Sequence, residues 1–132
     1  LVPYKIDLAQ EGQSDVLKAL SNEIKALCQW RSSDPEHRGC FGVNCITELV
    51  DKNEALGAVM EEVLMFSVER YNQILMLAAK NNELPDEDLR SKALALQSGV
   101  VGINTMAKVI RDETELWSIA KYNLLALDLY RE

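Results

Sequence analysis

The feature that most restricts the fold of this chain is a long segment, residues 54–80, with apolar side chains at helical spacing. Asn53, directly before it, is a residue type that caps helix N-termini, and the Asn-Asn-Glu-Leu-Pro turn at residues 81–85 ends it. The apolar stripe recurs every three or four residues, which is the period of one helix face, and consists of Leu56, Met60, Val63, Ser67, Tyr71, Ile74 and Ala78. We therefore predict one long amphipathic helix.

Four other segments also have helical character. Three prolines and six glycines in 132 residues allow long helices and disfavour a strand-and-turn architecture. Ser14 is the expected N-cap of the first helix, and Asp112 with Glu115 is the expected capping box of the last. After an irregular lead-in at residues 1–13, we predict these helices at residues 14–30, 39–50, 86–111 and 112–130. The predicted fold class is all-α, a bundle of about five to six helices in one domain over residues 1–132.

The last two predicted helices carry apolar residues on more than one face. On the first of them, only the strip with Arg90, Gln97, Asn104 and Lys108 is polar, and it is expected to face solvent. Helices buried on two sides in so small a domain need two partners, which favours a four-helix interface in a homodimer; the alternative is that both faces are satisfied within one chain. The predicted interface residues are Ala95, Gly99, Gly102, Met106, Val109, Ile119, Tyr122, Leu125 and Leu129.

The charge of the chain argues against direct binding to nucleic acid. Fourteen basic residues stand against 21 acidic ones, for a net charge of −7, and the basic residues are scattered singly. A nucleic-acid-binding surface usually shows a basic patch, because affinity for the phosphate backbone depends on the phosphates neutralised. No apolar run approaches the roughly 18 to 20 residues that span a bilayer, and no signal peptide is recognisable. We expect a cytoplasmic protein without a membrane partner.

No familiar catalytic or metal-binding motif occurs in the chain. There is no phosphate-binding loop, no His-Glu-x-x-His, no Gly-x-Ser-x-Gly and no Cys-x-x-Cys. His37, the single histidine, lies in a polar linker, and the acidic clusters fall at helix starts or on outer faces, where solvated charges are usual. We therefore predict no catalytic residue, no metal site, no cofactor and no enzymatic activity.

Asn44 and the cysteines leave alternatives open. Asn44 interrupts the apolar run at residues 40–46, so its amide either faces a ligand in an apolar cavity or acts as a structural cap on the short helix. Cys28 could meet Cys40 or Cys45 across helices, which would allow a cysteine-based sensor of oxidants or electrophiles. Free buried cysteine is also common as a small apolar residue, so the cysteines alone do not establish a sensor.

Several segments together resemble the effector half of TetR-family transcriptional regulators. The pattern Gly-Cys-x-x-x-Asn at residues 39–44 and Glu-Leu at residues 48–49 precede the longest helix, as in that family. The turn at residues 81–85 and the small-residue segment at residues 99–107 look like the corresponding parts. The resemblance covers about residues 14–130 and implies a TetR C-terminal-domain-like fold.

This resemblance implies a function in transcription regulation. The chain would be the effector-sensing domain of a DNA-binding protein, a probable repressor, and would reach DNA only through an N-terminal helix-turn-helix domain absent from this chain. A small apolar effector would enter among the first four helices and release the operator. Chosen by helix face and family position, the expected ligand-binding residues are Leu20, Ile24, Leu27, Phe41, Asn44, Cys45, Met60, Leu64, Tyr71 and Val100. The alternatives are a helical protein-interaction module without ligand and the cysteine-based sensor on the same fold.

Overall fold

The structure, a computed structural model, describes residues 14–132, which form five α-helices and no strand. The predicted all-α class is therefore confirmed, and the predicted lead-in at residues 1–13 lies outside the described residues. The helices are α1 (Val16–Ser32), α2 (Phe41–Leu49), α3 (Glu54–Lys80), α4 (Leu89–Met106) and α5 (Glu113–Ala126).

Two helix starts are set by the local caps that the sequence predicts. The Asn53 side chain accepts a hydrogen bond from the Leu56 backbone N–H at 3.0 Å, and α3 has the predicted bounds. Asp112 Oδ1 accepts from the backbone N–H groups of Thr114 at 2.8 Å and Glu115 at 3.1 Å. Both side chains satisfy N–H groups that have no partner within the helix, which is why the helices begin there.

The predicted cap of α1 is wrong. Ser14 is not the N-cap, because α1 begins at Val16 after Asp15, which has a left-handed backbone (φ 53°) and makes no side-chain cap. Instead, the carboxylate of Glu83, in the turn between α3 and α4, accepts hydrogen bonds from Val16 N and Leu17 N at 2.9 Å each. The first turn of α1 is thus capped by a side chain 66 to 67 positions away along the chain.

The helices α4 and α5 are both shorter than predicted. Helix α4 begins at Leu89, because Asp88 before it has a left-handed backbone (φ 54°) that a helix cannot continue through. Helix α5 ends at Ala126, and Asp128 is again left-handed (φ 58°). The Leu129 backbone N–H then bonds to the Leu124 carbonyl at 2.8 Å, the pattern of a Schellman motif.

The core lies where α1 packs against α3, α4 and α5, while α4 also packs against α3 and α5. Helix α2 lies against α3 and α4. The fully buried large side chains that fill this core are Leu17, Leu20, Ile74, Leu75, Ile103, Leu116, Leu124 and Leu129. Within residues 14–132, no helix is long and apolar enough to cross a membrane.

The polar strip predicted to face solvent on α4 is only half solvated. Arg90 and Lys108 are exposed as expected, but Gln97 and Asn104 are buried. The prediction is wrong for these two amides because this face of α4 turns toward α1 and α2 rather than toward water. Gln97 and Asn104 therefore line a partly open cavity instead of facing bulk solvent.

Candidate functional site

A cavity of about 280 Å³ lies between α1, α2, α3 and α4. This is close to the lower end of the volumes typical of small-molecule sites. Most of its wall is apolar, with a few polar side chains among the apolar ones. The apolar wall includes Ile24, Leu27, Val43, Ile46, Val63, Leu64, Tyr71 and Val100, and the charged and amide side chains are Glu23, Arg31, Gln97 and Asn104.

A buried ion pair fixes the cavity side of α1 to α3. The Glu23 side chain is only 3% exposed. Its Oε1 lies 2.5 Å from Arg70 Nη2, and its Oε2 accepts from Arg70 Nη1 at 3.1 Å. A two-point pair of this kind sets the relative orientation of the two helices, because the planar guanidinium matches both carboxylate oxygens.

A second polar cluster joins α1, α4 and the loop before α2. Arg31 Nε donates to Asn104 Oδ1 at 2.6 Å, and Arg31 Nη1 donates to the Gly39 carbonyl at 3.1 Å. The guanidinium also stacks 4.1 Å from the centre of the Trp30 ring. Asn104 Nδ2 in turn donates to the Val100 carbonyl at 3.0 Å. These contacts hold the side of the cavity where α1 ends.

Gly39 of the Gly-Cys pair has a structural reason to be glycine. Its backbone is left-handed (φ 71°), a conformation that side chains disfavour. A Cβ placed there would also lie 2.7 Å from the backbone oxygen of Asn104. Because residue 39 has no side chain, the loop can lie close to Asn104 on α4. In that position, the Gly39 carbonyl accepts the hydrogen bond from Arg31.

Gln97 differs from the other polar side chains of the cavity. It is 9% exposed and lines the cavity from α4. Its Oε1 is buried without a hydrogen-bond partner among residues 14–132. Buried polar atoms of native proteins are nearly always hydrogen-bonded, so this oxygen is an exception among the charged and amide side chains of the wall.

Five of the ten predicted ligand-binding residues line the cavity: Ile24, Leu27, Leu64, Tyr71 and Val100. The structure does not bring the other five to it. Leu20 is fully buried in the core beside it, and Phe41, the first residue of α2, points outward and is 82% exposed. Cys45 and Met60 are half-buried and do not line the cavity. A ligand role for the five lining residues remains a prediction.

Asn44 also lies outside the cavity and makes structural contacts. Its Nδ2 donates to the Arg38 carbonyl at 3.0 Å, and its Oδ1 accepts from Lys108 Nζ at 3.2 Å. Both contacts tie the start of α2 to its neighbours. Of the two readings of the sequence, the geometry favours the structural cap.

The sequence pattern does not reveal the charged and amide side chains of the cavity. Gln97 and Asn104 are seven positions apart on α4, the spacing of one helix face, and a polar strip of this kind predicts a solvated face. A signal was present in α1, because Glu23 falls directly beside Ile24 within the apolar stripe. An acid at such a position needs a buried partner, but its identity, Arg70, does not follow from the sequence.

The cysteines are three free thiols in different surroundings. Cys28 is fully buried, and burial, aided by the Glu113 carboxylate, raises the pKa of its thiol to about 12. Almost no thiolate forms there at neutral pH, which argues against Cys28 as a reactive sensor. Cys40 lines the cavity, and Cys45 is half-buried. Within the described part of the chain, no cluster of His, Cys, Asp or Glu has the arrangement of a metal site.

The predicted dimer residues fall into two groups. Exposed side chains or open backbone are found at Ala95, Gly102, Met106, Val109, Tyr122 and Leu125. The other three serve the interior of their own chain. Gly99 packs against α5, where an added Cβ would lie 3.3 Å from Asn123 Nδ2. Ile119 packs on the core, and Leu129 is fully buried below the end of α5.

A second exposed apolar stripe lies on the N-terminal half of α3. Leu56, Val59, Val63 and Phe66 follow a 3-4-3 spacing, so they share one face of the helix. All four are exposed, and Phe66 most strongly.

Comparison with known proteins identifies a family for most of the chain. Residues 16–122 match the family model described as tetracyclin repressor-like, C-terminal domain. The matched region runs from the first residue of α1 into α5. No curated protein and no solved structure matches the chain.

Proposed function

The chain belongs to the family of tetracyclin repressor-like C-terminal domains, and from this premise we propose that it senses a small apolar effector for a transcriptional regulator. Such domains are typically the ligand-binding and dimerisation parts of regulators, which are generally non-enzymatic. In the proposed role, the effector controls DNA binding by a separate helix-turn-helix domain. The regulator would act as a repressor that the effector releases from its operator.

The observation that carries this proposal is the cavity among α1, α2, α3 and α4. Its apolar wall with a few polar side chains is the usual character of a small-molecule site. Helix α1 contributes Ile24 and Leu27 to the wall and is tied to α3 and α4 by Glu23 and Arg31. A ligand there would therefore bear directly on the position of α1. By thermodynamic linkage, it must bind the DNA-released state more tightly by the same factor with which it weakens DNA affinity.

Filling the cavity tests this proposal. The full chain is titrated by calorimetry with small apolar aromatic compounds (indole, benzofuran, carbazole and dibenzofuran). Binding to the wild type is expected, and Leu64→Trp, which places an indole ring in the cavity, is expected to abolish it. Leu94→Trp makes the same substitution at an exposed position of α4 and is the matched control. Equal binding by both variants would place the compounds outside the cavity and contradict the proposal.

We further propose that the chain forms a homodimer through the exposed face of α4 and α5. Val109, in the turn after α4, and Tyr122 on α5 are 79% and 73% exposed, and Met106 at the end of α4 and Leu125 on α5 are also exposed. Large side chains of this kind on neighbouring elements are a common mark of a protein interface. At Gly102 nothing lies within 4 Å of an added Cβ, so the backbone is open to a partner helix.

Light scattering with a charge placed in this face tests the dimer. Gly102→Glu is expected to convert a dimer into monomers, because a carboxylate would be buried without a partner. Val59→Glu on the exposed stripe of α3, outside the cavity wall, is the control and is expected to leave the dimer intact. A monomeric wild type, or a dimer broken only by Val59→Glu, would refute the α4–α5 interface.

The second candidate function is a helical protein-interaction module without ligand. The exposed stripe of Leu56, Val59, Val63 and Phe66 on α3 favours it, because apolar stripes of this spacing bind partner helices. The two candidates differ in the cavity experiment: the interaction module predicts no binding of apolar compounds that Leu64→Trp would block.

A further inference from the structure

The cavity offers one hydrogen-bond acceptor that no described residue satisfies. Gln97 on α4 is 9% exposed, lines the cavity and has an Oε1 without a partner among residues 14–132. A buried acceptor that has lost its hydration is favoured to accept a donor from whatever occupies the space beside it. A hydrogen-bond donor on a molecule in the cavity would therefore be favoured beside Gln97.

The other charged and amide side chains of the wall already have partners in the protein. The Glu23 carboxylate is bonded through both oxygens to Arg70. Asn104 accepts from Arg31 at its Oδ1 and donates to the Val100 carbonyl from its Nδ2. Among these groups, the Gln97 carbonyl is the acceptor that a ligand can complete without breaking an existing contact.

The charges around the cavity decide which kind of donor fits. The negative charge of Glu23 is compensated by Arg70 at 2.5 Å. Arg31 adds a second positive charge, and it lines both the cavity and the open groove beside α2. The local balance is thus positive, which disfavours an ammonium group on the ligand and favours an uncharged donor.

We propose that the effector of this domain is an apolar molecule with one uncharged hydrogen-bond donor, such as a hydroxyl, an amide N–H or an azole N–H, that binds Gln97 Oε1. The proposal rests on the proposed function, because it takes the cavity as the effector site. It adds the chemical class of the ligand and the residue that recognises it. Gln97 acts as the residue that selects ligands by their donor, while the apolar wall accepts the rest of the molecule.

Two pairs of ring compounds test the proposal on the full chain. Indole and carbazole each carry an N–H donor, whereas benzofuran and dibenzofuran have the same ring shapes with oxygen in its place. Calorimetry should show the N–H member of at least the better-fitting pair binding about tenfold more tightly to the wild type, the factor expected for one buried hydrogen bond.

Gln97→Met keeps the length of the side chain and removes the acceptor. It should erase the preference for the N–H compound while the oxygen compound binds as before. Gln73→Met makes the same change on an exposed part of α3 and should leave the preference intact. A thermal unfolding curve for each variant checks that the fold is kept, and folding alone would not change the ratio of the two affinities.

The outcomes separate this proposal from the proposed function. Equal affinities, tighter binding of the oxygen compounds, or a preference that survives Gln97→Met would overturn the donor proposal and leave the cavity as an apolar site. Absence of binding by all four compounds, or binding that survives Leu64→Trp, would overturn both.

Discussion

Replacement of Glu83 by alanine removes the cap of α1. Its carboxylate accepts hydrogen bonds from Val16 N and Leu17 N at 2.9 Å, and both of these residues are fully buried. The negative charge also lies at the N-terminus of α1, where the helix dipole favours it. Alanine would leave two backbone N–H groups without their acceptor. The Arg131 contact to the Glu83 carbonyl involves only backbone at residue 83 and would remain.

The expected loss of stability follows from these contacts. Removal of an ordinary N-cap side chain costs about 1 kcal/mol, and hydrogen bonds to a charged group contribute about 1.5 to 3 kcal/mol each. Water can reach part of the helix end beside the exposed Asp15, so the two bonds do not count in full. We expect Glu83→Ala to lower the free energy of unfolding by about 2 to 4 kcal/mol. Glu83→Gln keeps one oxygen acceptor without the charge and should cost about half as much.

Urea unfolding at pH 7, followed by circular dichroism at a fixed protein concentration, measures the loss. The concentration is fixed because association would add to apparent stability. Ser14→Ala, at the residue that the sequence suggests as the cap, is the matched control and should change stability by less than about 0.5 kcal/mol. If Glu83→Ala also stays within that limit, or if Ser14→Ala costs as much, the long-range cap does not stabilise α1.

Three further predictions concern the loop and the cysteines. Gly39→Ala should destabilise the fold by about 1 to 3 kcal/mol in the same urea assay, because its backbone is left-handed and a Cβ would meet Asn104 O. Cys28, with its pKa raised from 9.0 to about 12, keeps its proton in the folded state after the unfolded chain has lost it. The stability due to this thiol is therefore complete below pH 9 and declines as pH rises from about 9 to 12. Between pH 9 and 10.5, the free energy of unfolding of the wild type should fall more steeply than that of Cys28→Ala, by up to about 1.4 kcal/mol per pH unit. Iodoacetamide at pH 7.5 should label Cys40 in the folded chain before Cys28, as read by peptide mass spectrometry, and equal rates would contradict the burial of Cys28.

The sequence alone was enough to predict the helices and two of their N-terminal caps. The period of the apolar residues in α3 and the short polar side chains of Asn53 and Asp112 act over a few residues, so they can be read locally. The family resemblance rested on the same scale, in the Gly39–Cys40 pair and the turn at residues 81–85, and the match over residues 16–122 confirms it. Half of the predicted ligand-binding residues line the cavity because helix faces are periodic.

The tertiary structure decided which face meets which neighbour. Periodicity shows that Gln97 and Asn104 share a side of α4, but only packing against α1 and α2 turns that side inward. The same limit applies to Leu129, which lies in its own core because Asp128 ends α5 and folds the chain back. Glu83 caps α1, and Arg70 neutralises Glu23, across separations of 67 and 47 positions. Such pairs form only when whole helices dock. A buried polar group needs its partner only after docking has removed both from water, so the pair cannot be read from either local sequence.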